Sequence, residues 1–89
     1  MVPEGDHVII FHSIHRVMQA EYRLKEKGLA VRLIPAPRRI TADCGLAITF
    51  PPGLATDVRK ALAAGGILPA DWYVRQGDDY RPLSPEERP

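Results

Sequence analysis

An α+β fold, with two helices packed on one antiparallel four-stranded sheet, is the class the sequence predicts, and three observations lead to it. Short β-branched runs alternate with two amphipathic stretches in the order β-α-β-β-α-β. The connection between the second and third strands, residues 35–45, is too polar and too broken by Pro and Gly to be a helix. The chain has 89 residues, enough for one domain and short for a doubly wound sheet.

Residues 7–11 form a run that is apolar after His7, as expected of a central strand covered on both faces. Ser13 then offers an N-cap. From residue 14 to residue 27 the pattern is helical: Val17, Ala20 and Leu24 share a stripe with Ile14 and Met18 alongside, while Gln19, Arg23 and Glu26 face away. Glu21 and Lys25 have the spacing of a favourable ion pair, and Gly28 ends the helix. Residues 30–34 read as the second strand and residues 46–50 as the third, which Pro51, Pro52 and Gly53 terminate. Leu54, Val58, Ala61 and Leu62 mark a second helix closed by Gly65 and Gly66, and residues 72–75 a fourth strand in which Trp72 and Tyr73 are core and edge residues.

The two halves repeat one pattern of strand, helix, glycine and strand. Two right-handed βαβ units interleaved in one sheet give the ferredoxin-like two-layer sandwich, with strand three between strands one and two and antiparallel to both. The expected domain is 1–76, followed by an extended or disordered tail, 77–89, rich in Pro and charge. Exposed edge strands in such a sheet can pair, so a homodimer is one expected assembly.

A formal net charge of +1 lacks the basic excess of a general nucleic-acid binder. No apolar run approaches the ~18 residues of a membrane span. Residues 1–6 lack the basic and apolar regions of a signal peptide, and one cysteine precludes an internal disulfide, so a reducing cytoplasm is the expected setting.

Chemistry is expected at that cysteine, Cys44. In the interleaved topology the end of strand one, His12 and Ser13, lies beside the start of strand three, Cys44 and Gly45. Cys44 would then face the N-terminus of the first helix with His12, His15, Arg38 and Arg39 in reach. A helix N-terminus and nearby cations stabilise a thiolate and lower the thiol pKa. Gly45 leaves no side chain beside the sulfur, so a partner can approach closely. A lone Cys in a small domain is also commonly a buried apolar residue. Arg38 and Arg39 are equally a solvated loop pair or an anion-recognition pair, and Asp78 and Asp79 a solvated pair. His12 and His15 have H-x-x-H spacing, but with Cys44 they make only three ligands, so no metal site is assigned. No P-loop, dinucleotide fingerprint, nucleophile elbow or paired-carboxylate motif is present, and no cofactor is assigned.

The run from Arg32 to Ile48, with its core Pro37-Arg38-Arg39-Ile40-Thr41-Ala42-Asp43-Cys44-Gly45, resembles a family of bacterial and archaeal selenium/sulfur carrier-like proteins, whose pattern is P-R-x-[IL]-[ST]-x-x-C-G. The step Phe11-His12-Ser13 before a helix is similar to the family's start, and the resemblance covers residues 7–75. It implies a persulfide or selenopersulfide held on Cys44. A cysteine desulfurase-type donor would supply it and an acceptor enzyme would receive it, which makes the chain a relay rather than an enzyme. Arg38, Arg39, Thr41, Gly45, Ser13, His12 and His15 would form its surroundings. Where the family often has Ser or Thr before the Cys, this chain has Ala42 and Asp43, and the Asp43 charge opposes thiol activation. The alternative is a non-catalytic ferredoxin-like module that binds a small ligand or a protein.

Overall fold

The computed structural model describes residues 2–40 and 45–89. The order is β1 (His7–Ile10), α1 (Ile14–Glu26), β2 (Arg32–Pro35), β3 (Leu46–Phe50), a 3-10 turn (Pro52–Leu54), α2 (Ala55–Ala64), β4 (Asp71–Gln76) and β5 (Asp79–Pro82). The strands form one sheet in the order β2-β3-β1-β4-β5, and every neighbouring pair is antiparallel. β3 lies between β1 and β2.

Among the described residues the sheet has five strands where four were expected. The extra strand is built from the segment read as a tail. Gln76 pairs with Asp79 across a two-residue turn whose first residue, Gly77, has φ +61°. Gly at the first central position suits a tight hairpin, because L side chains rarely adopt that φ. Leu83 follows β5 into the core, and its N–H donates to Trp72 O at 2.8 Å. Abundant Pro and charge masked this hairpin in the sequence, yet both belong on an edge strand, where they discourage pairing with another chain.

Alternation along the strands separates two apolar layers. Ile9, Phe11, Ile48, Phe50 and Trp72 join Val17, Ala20 and Leu24 of α1 and Ala55, Val58 and Leu62 of α2 in the main core. Val8, Ile10 and Ala47 point to the opposite, helix-free face, where Val2, Ala36, Ile40, Tyr73 and Tyr80 cover them. β1 is therefore buried on both faces, as its unbroken apolar run predicts.

Both helices close with the same motif. Gly28 N donates to Lys25 O and Leu29 N to Leu24 O; Gly66 N donates to Ala63 O and Ile67 N to Leu62 O. Gly28 and Gly66 have φ of +78° and +70°, the left-handed conformation that this Schellman geometry needs. The apolar residue after each glycine packs into the main core.

Two expectations for α1 are corrected. Ile14 and Met18 are 52% and 46% exposed, so the buried stripe is narrower than the sequence suggests. Arg23 does not face away: its Nε donates to Ala61 O of α2 at 2.9 Å. It passes so close to Gly65 that a Cβ there would sit 2.6 Å from Arg23 Nε. The Glu21–Lys25 pair forms as expected, at 3.0 Å.

Candidate functional site

Strand register gathers one rim of the sheet. Ile9 is paired with Ile48, Ile10 with Asp71, and Pro35 with Leu46. The ends of β1 and β2 therefore share an edge with the starts of β3 and β4. Helix α1 opens four residues beyond Ile10, at the same rim. Ser13 caps it: in extended conformation, its Oγ accepts from Arg16 N at 3.1 Å. The first turn of α1 holds no acidic residue, so the positive end of its dipole is not offset by its own side chains. His12 and His15 flank the cap and are both exposed.

Gly45 stands at the start of β3 on this rim. It is exposed, its carbonyl accepts from Ala36 N at 3.0 Å, and a Cβ built on it meets no atom of the other described residues beyond its chain neighbours within 4 Å. The loop from β2 to β3 thus leaves and re-enters the sheet at one hydrogen-bonded closure. Among the described residues, nothing demands a glycine there. Two of the sequence-predicted residues, Thr41 and Cys44, lie outside the described residues. Among the described residues, no group of three or more His, Cys, Asp or Glu side chains could hold a metal ion.

Arg38 and Arg39 go to a different place from His12, Ser13 and His15. After Ala36 the chain turns, with Ile40 N donating to Pro37 O at 3.1 Å, and Ile40 packs on the Val8, Ile10 and Ala47 layer. The two arginines therefore lie on the helix-free face and reach the β4–β5 hairpin. Arg39 Nη1 donates to Asp79 Oδ1 at 2.7 Å. Arg38 and Arg39 line an open cleft of about 290 Å³ with Pro37, Arg75, Asp78 and Tyr80.

A second polar centre was not evident from sequence. His7 is only 8% exposed. Its Nδ1 accepts from Trp72 Nε1 at 2.7 Å, which places the imidazole proton on Nε2. The ring stacks on Phe50 with centroids 5.6 Å apart, and Trp72 meets both rings edge-on. Burial chiefly holds the His7 pKa below its ordinary 6.5; Arg81 acts in the same direction and Asp6 against it. Only the register of β1 against β4 brings residues 7 and 72 together, and no local pattern reports that.

The family model of the putative Se/S carrier protein-like proteins matches residues 6–74. The chain belongs to this family. Neither the curated proteins nor the solved structures gave a match. The Se/S carrier-like span takes in β1 through most of β4, with Arg38, Cys44 and Gly45 inside it. β5, with Asp79 and Tyr80, follows the matched span. Among the described residues, no helix is long and apolar enough to cross a membrane.

Proposed function

We propose that the chain is a sulfur or selenium carrier that holds a persulfide or selenopersulfide on Cys44 and relays it between enzymes. Family membership over residues 6–74, a span that includes the chain's single cysteine, carries this reading. The exposed rim at Gly45 supports it, since Cys44 is the residue joined to Gly45.

The chemistry needs no external oxidant. The Cys44 thiolate attacks the terminal sulfur of a persulfide on a cysteine desulfurase-type donor. A Cys44–S bond forms, the donor's S–S bond breaks, and the donor thiolate leaves. An acceptor thiolate then attacks the terminal sulfur of Cys44–S–S⁻, and the Cys44 thiolate departs. Each step exchanges one sulfur–sulfur bond for another, and a selenium atom follows the same course. The capped N-terminus of α1, with His12 and His15 beside it, favours negative charge at this rim. A cytoplasmic setting, where thiols stay reduced, belongs to this reading. So does a ferredoxin-like sandwich of the two helices and first four strands, with β5 appended.

The test is incubation with a cysteine desulfurase and cysteine, followed by intact-mass analysis. The expected result is a gain of one sulfur atom that reductant removes and that Cys44→Ser never acquires. An unmodified wild-type chain, beside a desulfurase that loads its own cysteine, would refute the proposal.

A further inference from the structure

We infer that the cleft on the helix-free face is a binding site for a small carboxylate, with Arg38 and Arg75 as its cationic groups. Its charges are not mutually satisfied. Arg39 is paired with Asp79, but among the described residues Arg38 has neither a hydrogen bond nor an ion pair. Arg75 is fixed by its own hydrogen bonds: Nε donates to Gly77 O at 2.9 Å and Nη1 donates to Val2 O. Both acceptors are neutral carbonyls, so its positive charge has no described counter-ion. One arginine is thus positioned before a ligand arrives, and a second, on the β2–β3 loop, lines the same cleft.

Asp78 lines the same cleft and opposes the incoming anion. With Asp79 matched to Arg39, the four ionised groups that line the cleft, Arg38, Arg39, Arg75 and Asp78, leave at most one net positive charge, which the Glu4 carboxylate on Gly77 N reduces further. That balance suits a singly charged ligand better than a doubly charged one. Guanidinium groups match a planar carboxylate through paired, charge-assisted hydrogen bonds. The cleft's 290 Å³ corresponds to the liquid volume of about ten waters, enough for a molecule the size of an amino acid. The site is open to solvent, so the affinity expected is of order millimolar. None of these groups is Cys44, and the site does not depend on the carrier reading.

The test is an NMR titration of the full chain with N-acetylglycine, its neutral amide and inorganic phosphate. N-acetylglycine should shift the Nε–H signals of Arg38 and Arg75 and the ring signals of Tyr80 saturably, and the neutral amide should not. Arg38→Ala should weaken binding by about ten-fold or more, with Arg38→Lys between, because lysine keeps the charge but not the fork. Asp78→Asn should tighten it about three-fold by removing the opposing charge. Cys44→Ser should leave it unchanged, which separates this proposal from the carrier reading. Unaltered affinity in Arg38→Ala, equal shifts at Arg16 and Arg59, or phosphate binding in preference to N-acetylglycine would each overturn it.

Discussion

Acidification should weaken the fold through His7, and the effect has a definite sign and ceiling. The folded state holds a neutral His7 whose Nδ1 accepts the Trp72 indole N–H at 2.7 Å. Protonation would put a second donor on that nitrogen, facing the first, inside a ring cluster where neither can turn to water. Burial therefore lowers the folded pKa below the ordinary 6.5, while the unfolded chain titrates near that value. Between the two values the unfolded state binds more protons. Stability is then full above about pH 6.5 and falls as the pH drops towards the folded pKa. One differential proton gives a slope of at most about 1.4 kcal/mol per pH unit. Urea unfolding at pH 8, 7, 6 and 5.5, followed by the fluorescence of the single tryptophan, measures it. His7→Asn keeps an acceptor without a titration and should flatten the slope between pH 6.5 and 5.5. Equal slopes in wild type and His7→Asn, or an imidazole titrating at or above 6.5 by NMR, would refute the assignment.

Other substitutions probe the elements that build the rim. Ser13→Ala removes the cap of α1 and should cost about 1 kcal/mol, whereas Ser13→Asp should restore most of it; thermal melts compare the two. Gly28→Ala and Gly66→Ala each force a side chain into the left-handed region and should cost about 1–2 kcal/mol, additively, because the sites are on different helices. Gly65→Ala meets Arg23 and should displace it from Ala61 O. In an Arg23→Ala background the same change should stabilise by about 0.4–1 kcal/mol, so a double-mutant cycle by urea unfolding should show strong coupling. Arg39→Ala breaks only a solvent-exposed pair and should change stability by less than about 1 kcal/mol.

Local signals in the sequence locate most of the fold. Apolar alternation places β3 at the residues observed, and Ser13, Gly28 and Gly66 mark helix ends, because caps and chain reversals depend on neighbours in sequence. What failed depends on distant partners. Arg23 looks solvent-facing on a helical wheel until α2 brings the carbonyl of Ala61, in its last turn, within reach of the guanidinium. Residues 77–89 look like a tail until β4 offers an edge, although Gly77-Asp78 between two short runs was a legible hairpin signal. For the candidate site, the start of β3 was correctly brought to the end of β1. The destination of Arg38 and Arg39 was not foreseen, because the sheet face a loop covers is set by Ile40 packing, not by loop composition.

The loop between β2 and β3 has a divided anchorage, and this shapes how the two proposed activities relate. Its two ends are joined at the rim, where Ala36 N donates to Gly45 O, beside the α1 N-terminus. Its middle is held on the helix-free face by Ile40 and by the Arg39–Asp79 pair. Carboxylate binding at Arg38 and Arg75 would pull on the middle of the same loop that carries Cys44 next to Gly45. Coupling between the two would be reciprocal, as linkage requires. Loading Cys44 with sulfur should then alter N-acetylglycine affinity by the factor by which N-acetylglycine alters the loading equilibrium. Equal affinity of the loaded and unloaded chains would mean that the two sites share a loop and nothing more.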